Sequence, residues 1–279
     1  MPSVEQLYLD LMKKALTRTM FGEHSYVPLK RPTNCTSIAK EAAWAIYPVL
    51  KWTLERINLL IAKKIPNDQR QDEGGKDWPP DTDTLIGLTR LQNLQDCALD
   101  VIRRQVPGDF IETGVYRGGA CIFMRAVLAA YQDTARTVWV ADSFQGLPIP
   151  EKQYPQDRRN VSNDADSPSL DEVKANFARY GLLDGQVRFL PGWFKDTLPQ
   201  APIERLALLR LDGDMYSSTM DALQNLYSKV SPGGYVIVDD YVSHRNQCGR
   251  AVDEFRSIHG INEELQEIDW TGVFWKVRE

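Results

Sequence analysis

No run of about 18 apolar residues occurs in the 279-residue chain, so the sequence offers no membrane-spanning helix. The opening residues, MPSVEQLYLD, lack a basic segment followed by an apolar one and do not read as a secretory signal. Cysteine is scarce. Cys35, Cys97, Cys121 and Cys248 lie far apart and form no CxxC pair, which argues against structural zinc and against a disulfide framework. Free thiols in a reducing cytoplasm are the expectation. Positive charge is in deficit as well: 33 Lys and Arg face 38 Asp and Glu, for a formal charge of −5. Phosphate recognition calls for the opposite balance, so a nucleic-acid partner is disfavoured.

What remains is ordinary for a globular protein, with 43% apolar and 25% charged residues, enough to bury a sizeable core. Residues 1–66 carry ten Lys and Arg against five Asp and Glu, so they sum to +5 and the rest to −10. A basic amino-terminal segment suits a solvated helix surface, or a cover over an acidic active-site face. Residues 4–20 place Leu7, Leu11, Leu16 and Met20 near helical spacing. Loop is expected from Phe21 to Cys35, where Gly22, Pro28 and Pro32 fall. A second helix is expected over about 37–64, kinked or broken at Pro48. Residues 67–83 are polar and turn-rich and read as a linker. A third helix is expected over 84–105, with Leu88, Leu91, Leu94 and Leu99 near one face.

From Gly108 the pattern changes. Near-continuous apolar runs at 109–114, 137–142, 186–192, 206–214 and 234–240 alternate with helical stretches at about 118–131, 169–180, 217–230 and 246–258. Apolar strands separated by helices predict a doubly wound, mostly parallel sheet covered on both faces. Residues 264–277 read as two short strands around Thr271-Gly272, an antiparallel hairpin at the sheet edge. The chain thus divides into a helical extension over 1–83 and an α/β domain over 84–279.

The first of these strands runs into Glu112-Thr113-Gly114-Val115-Tyr116-Arg117-Gly118-Gly119, which opens a helix. Glycines at a strand-to-helix turn let a ligand approach the backbone. The spacing is not the GxGxxG of a dinucleotide site, and Glu112 would repel a pyrophosphate while suiting an ammonium group or a cationic sulfur. Asp142, ending the second strand, is placed to take both ribose hydroxyls of an adenosine cofactor or to cap a loop. Gly192-Trp193-Phe194 offers aromatic surface at the same sheet edge, either for an adenine or for the core.

Asp212-Gly213-Asp214 and Asp239-Asp240 end two further strands. In a parallel sheet the carboxyl ends of adjacent strands face one crevice, where four carboxylates would repel one another without a cation. Oxygen-only donors select a hard ion, and an ion that keeps positions open for substrate suggests Mg²⁺. The same acids would also serve as solvated loop acids or helix caps. Coordination of an alcohol lowers the barrier to losing its proton, and a nearby carboxylate can accept that proton as the oxygen attacks a methyl carbon. Asp212, Asp239 and Asp240 are assigned to the metal and Asp214 to the general base, with His244 as the alternative base.

These residues resemble the sugar O-methyltransferases of antibiotic biosynthesis, the group typified by macrocin and novobiocin deoxysugar methyltransferases. The likeness runs from about Leu7 to Val277. It is densest in DFIETGVYRGGACIFMRAVL, VWVADSFQGLP, RYGLLDGQVRFLPGWFKDTLP, LALLRLDGDMYSSTMDAL, SPGGYVIVDDY and IDWTGVFWKV. The resemblance implies a class I methyltransferase (Rossmann-like) fold, a cytoplasmic homodimer or higher homo-oligomer, and S-adenosylmethionine with Mg²⁺ as cofactors. By position it implies cofactor contacts from Thr84, Leu85, Glu112, Thr113, Gly114, Val115, Tyr116, Asp142, Ser143, Phe144, Gly146, Ser169, Gly192 and Trp193. It also matches Asp212, Asp239 and Asp240 to the metal and Asp214 to the base. The acceptor it implies is a glycosylated small molecule, a deoxysugar on a macrolide or aminocoumarin core. The chain departs from the family's pattern at 21–40 and 151–168, segments suited to an acceptor lid, where Arg158 and Arg159 face acceptor or solvent.

Three rival readings are a catechol-type phenolic O-methyltransferase, a nicotinamide-dependent oxidoreductase and a non-catalytic binding protein. The missing GxGxxG disfavours the oxidoreductase. The intact set of four aspartates disfavours pure binding, which needs neither metal nor base.

Overall fold

The computed structural model describes residues 1–21, 24–29, 38–66, 82–155, 157, 167–242 and 247–278. Its elements in chain order are α1 (Val4–Leu16), β1 (His24–Pro28), α2 (Ile38–Glu55), β2 (Ala62–Pro66), α3 (Leu88–Arg103), β3 (Asp109–Thr113), α4 (Gly119–Ala130) and β4 (Val138–Asp142). There follow α5 (Leu170–Arg179), β5 (Val187–Pro191), the short α6 (Phe194–Thr197), β6 (Leu206–Leu211), α7 (Tyr216–Leu226), β7 (Val230–Val238), α8 (Cys248–Ile258), β8 (Gln266–Glu267) and β9 (Val273–Lys276). Among the described residues no helix is long and apolar enough to cross a membrane.

The main sheet has seven strands in the order β5-β4-β3-β6-β7-β9-β8. Strands β3 to β7 run parallel, as their apolar runs predict, and β9 and β8 close one edge antiparallel. Alternate side chains of each strand feed separate cores. Phe110, Val138, Val140 and Leu208 pack under α1, α3, α4 and α5, while Ile111, Ala141, Leu209 and Val236 pack under α7 and α8. Burial on both faces explains why these strands read as continuous hydrophobic runs. The chain winds outward from β3 through β4 to β5, then returns to start β6 on the other side of β3. The order therefore reverses between β3 and β6, and the crevice beyond their carboxyl ends is where such sheets bind ligands.

The amino-terminal reading needs correcting at four points. The buried face of α1 is Leu9, Met12 and Leu16; Leu7, Leu11 and Met20 are exposed. The segment is so leucine-rich that more than one face has helical spacing, and packing against α4 selects among them. The second helix stops at Glu55, and residues 62–66 form a strand instead. That strand pairs antiparallel with β1, inside the stretch expected to be loop, in the register His24↔Pro66 to Pro28↔Ala62. A two-stranded pairing across nearly forty residues leaves no local periodicity to read. Of the kink or break expected at Pro48, the break does not occur, since α2 runs from Ile38 to Glu55 with Pro48 inside it. In the third helix Leu91, Leu94 and Leu99 are buried as expected, with Leu88 half-buried. Residues 67–81 of the linker, Gly22, Pro32, Cys35, Arg158, Arg159 and His244 lie outside the described residues.

Candidate active site

The turn after β3 and the turn after β6 meet at Gly114. A Cβ there would stand 2.0 Å from the carbonyl oxygen of Asp212, and the residue's φ of +87° is left-handed. Only glycine meets both conditions, so the ligand turn and the acidic turn approach as closely as two backbones can. Gly119, at the start of α4, is packed in the same way. Its missing Cβ would meet the Asp83 carbonyl at 2.3 Å and the Thr84 side chain at 2.5 Å. The segment leading into α3 is thereby laid against the ligand turn.

The second carboxylate of the ligand set is held by backbone amides. Asp142 accepts from the Val115 N–H at 2.7 Å and from the Phe144 N–H at 2.8 Å. Burial nonetheless raises its pKa above the ordinary carboxylate value. The Ser143 hydroxyl closes the same turn by donating to the Gly146 carbonyl at 2.7 Å. Tyr116, Phe144 and Asp214 adopt left-handed φ values of 50°, 56° and 56° without being glycine. Such outliers persist where surrounding structure fixes them, commonly at ligand sites.

One cleft of about 470 Å³ is lined by Thr84, Leu85, Glu112, Gly114, Val115 and Tyr116 together with Asp142 and Gly146. Asp212, Asp214, Asp239, Asp240, Arg90 and Trp270 line it too. A second cleft of about 640 Å³ shares Gly114, Asp142, Gly146 and Asp212 with the first and extends past Ser143, Gly192 and Trp193. Tyr154 also lines it, and its wall includes Glu151 and Lys195, which are ion-paired at 2.9 Å. Of the residues expected from sequence, Thr113, Phe144 and Ser169 line neither cleft. Thr113 is buried in β3, Phe144 packs against the core, and Ser169 caps α5 by accepting from the Glu172 N–H. Its neighbours Ser167 and Pro168 do reach the first cleft.

The acidic residues fall into two groups. One carboxylate oxygen from each of Asp212, Asp214 and Asp240 lies within 4.8 Å of the others. Burial first, then hydrogen bonding to Asp240 and its charge, pushes the Asp214 carboxyl well above its usual range. Asp239 is committed differently. Its Oδ1 is ion-paired with Arg210 and its Oδ2 with Arg90. Burial sets its pKa at about 6 despite both cations.

Arg210 has 1% of its side chain exposed and bridges Glu112, Asp212 and Asp239. Burial works against its charge, yet the three carboxylates hold its pKa well above the ordinary arginine value. Glu112 is buried as well, which raises it to about 7, and its second oxygen accepts from the Cys121 thiol at 2.9 Å. Both of its oxygens therefore already have protein partners, although the residue lines the cleft.

Sequence reasoning missed Arg210 and Arg90. An arginine inside the apolar strand LALLRL was the available signal, because a buried guanidinium requires carboxylate partners. It missed Asp157 too. This residue is fully buried, and its carboxylate accepts from the backbone N–H groups of Tyr216 at 2.6 Å and Ser217 at 3.1 Å. It thereby caps α7 just after Asp214. The Asp214 carbonyl is fixed in turn by the Gln247 N–H at 3.1 Å.

This geometry coincides with a match to known proteins along nearly the whole chain. Residues 5–277 match the family described as Macrocin-O-methyltransferase (TylF). The chain is 56% identical over 278 residues to the demethyldecarbamoylnovobiocin O-methyltransferase of Streptomyces niveus, covering 98% of this chain and 94% of that one. It is 46% identical over 277 residues to the mycinamicin III 3''-O-methyltransferase of Micromonospora griseorubida, covering 97% and 96%. Among solved structures, the O-methyltransferase NovP superposes with a TM-score of 0.81 at 46% identity, covering 99% of this chain and 100% of that one. The chain therefore belongs to the macrocin-O-methyltransferase family and is an O-methyltransferase.

Proposed function

We propose that the protein transfers the methyl group of S-adenosylmethionine to a hydroxyl of a deoxysugar carried by a secondary metabolite, with Mg²⁺ as the metal. The observation that carries this reading is the contact at Gly114, which sets the ligand turn and the acidic turn side by side at one cleft. The sugar acceptor is supported by relatives whose names specify mycinamicin III and demethyldecarbamoylnovobiocin.

Each residue's task follows from its environment. The backbone at 112–116 and Asp142 hold the donor's amino-acid and ribose portions, and Gly192 and Trp193 border its base. The donor set of the acidic group is all carboxylate, converges within 4.8 Å and faces a cleft, which fits a hard divalent ion. Within that converging set of Asp212, Asp214 and Asp240, Asp212 and Asp240 would hold it, and Asp239, whose oxygens pair with Arg210 and Arg90, would join them by giving up one of those contacts. Bound there, Mg²⁺ makes the acceptor hydroxyl easier to deprotonate. Asp214, in the same turn as Asp212 and lining the same cleft, takes that proton in its ionised form as the acceptor oxygen attacks the methyl carbon and the carbon–sulfur bond breaks to release S-adenosylhomocysteine. Arg210 and Arg90 fix the carboxylates before substrate arrives, and such preorganisation avoids reorientation during reaction.

The division at residue 83 and a homodimeric or larger assembly in the cytoplasm belong to the same proposal. Exposed Leu7 and Leu11 on α1 and exposed Ile46, Val49 and Trp52 on α2 support the assembly, since a subunit contact would cover them. The test is methyl transfer to mycinamicin III, demethyldecarbamoylnovobiocin and catechol, each with and without EDTA. Turnover of a glycoside that EDTA abolishes is expected. Turnover of catechol alone would replace the sugar reading with a phenolic one.

A further inference from the structure

The loop joining β8 to β9 holds a large aromatic ring half exposed between residues that are tightly tied. Asp269 Oδ1 accepts from the Thr271 N–H at 3.0 Å and the Gly272 N–H at 2.9 Å. Arg90 Nε donates to the other oxygen at 2.8 Å. Thr271 is fully buried, and its hydroxyl donates to the Asp239 carbonyl at 3.0 Å and accepts from Arg90. The Val242 N–H donates to the Thr271 carbonyl at 3.2 Å. Arg90 is thus one connector between the loop and the acidic cluster, because its remaining nitrogen pairs with Asp239. Its guanidinium also lies 5.9 Å from the centroid of the Trp270 ring.

Between those anchors, Trp270 keeps 49% of its surface exposed and lines the same cleft as Asp214 and Asp240. We propose that Trp270 is the platform on which the acceptor's pyranose ring stacks. This deepens the sugar reading above and rests on it. A pyranose presents an apolar C–H face and a polar hydroxyl edge, and a deoxysugar has more of the former. An indole covers the C–H face and leaves the hydroxyl edge free to reach the carboxylates. With the chain pinned on both sides of it, an indole has only two side-chain torsions left to lose when it is covered, so its contact area turns into affinity with small entropic cost.

The test is steady-state kinetics of Trp270→Ala and Trp270→Phe with mycinamicin III and demethyldecarbamoylnovobiocin, alongside calorimetric titration of S-adenosylhomocysteine. Trp270→Ala is expected to raise the acceptor KM about tenfold, equivalent to about 1.4 kcal/mol. Phenylalanine should recover most of that loss, and the S-adenosylhomocysteine Kd should stay within twofold in both variants. A purely structural role would lower the melting temperature and weaken donor and acceptor together. An unchanged acceptor KM in Trp270→Ala overturns the proposal, and so does an equal rise in the S-adenosylhomocysteine Kd, which would assign the ring to the donor. If the wild type methylates neither glycoside, the sugar acceptor fails first and this inference falls with it.

Discussion

Replacing Arg210 by methionine removes the cation that buried Glu112 and Asp239 share with partly exposed Asp212, and leaves a shorter, uncharged and unbranched side chain. Glu112, Asp212 and Asp239 then face one another across space that Arg210 filled with 1% of its side chain exposed. Breaking a buried ion pair from one side costs about 3–5 kcal/mol, because the charge left behind stays desolvated. For a chain of this size that corresponds to a fall in melting temperature of roughly 6–10 °C, at about 2 °C per kcal/mol. The deficit has a pH signature. Arg210 opposes the burial that raises the pKa of Glu112, Asp212 and Asp239, so its loss lifts all three further. A carboxyl whose folded pKa is raised contributes stability below its unfolded pKa and loses it as pH rises through the folded value. The variant's deficit should therefore be largest at pH 8 and shrink by pH 5.5, where the stranded carboxyls take up protons. Urea unfolding of both proteins in EDTA at the two pH values measures this. A deficit below about 1 kcal/mol at pH 8, or one that does not shrink on acidification, would refute the argument.

Gly114→Ala should cost about 1–2 kcal/mol for its left-handed backbone alone, and more for the approach to Asp212. It should also weaken S-adenosylhomocysteine binding more than tenfold, and calorimetric affinity within twofold of wild type contradicts this. Asp214→Asn should keep donor and Mg²⁺ affinity while kcat falls at least a hundredfold, in the range ascribed to general bases. If instead Asp214→Asn loses Mg²⁺ affinity and Asp239→Asn keeps it, the two roles are exchanged. Burial raises half-buried Asp221 to about 6, so its charge opposes folding once pH passes that value and not below about 4. The shift sets an upper bound of about 3 kcal/mol, which solvent screening reduces to about 1. Asp221→Asn should thus stabilise the protein by about 1 kcal/mol at pH 8 and leave it unchanged at pH 4 in urea melts.

Where local pattern and burial agree, the chain announced its structure. Strands β3 to β7 are apolar along their length because both faces are covered, and each begins or ends within a few residues of its expected limits. The edge hairpin around Thr271-Gly272 was equally legible, its strands falling at Gln266–Glu267 and Val273–Lys276. The β1–β2 pairing was not, since its partners lie far apart in sequence. Most of the expected site residues meet at the two clefts, because strand ends of a parallel sheet share one side. What the sequence hid was how those charges are shared. Glu112 reads as a ligand contact and Asp239 as a metal ligand, yet Arg210, two residues before Asp212, binds both. That pairing depends on register between β3, β6 and β7, which sets Glu112 opposite Arg210 and Arg210 opposite Ile237, two residues before Asp239.

The most direct test is the initial rate of methyl transfer after exhaustive EDTA treatment, followed by titration with free Mg²⁺. If the aspartates at the tips of β6 and β7 hold the ion that the reaction needs, the rate falls to background in chelator and returns along a saturable curve as Mg²⁺ is restored. An undiminished rate in excess EDTA would contradict that assignment.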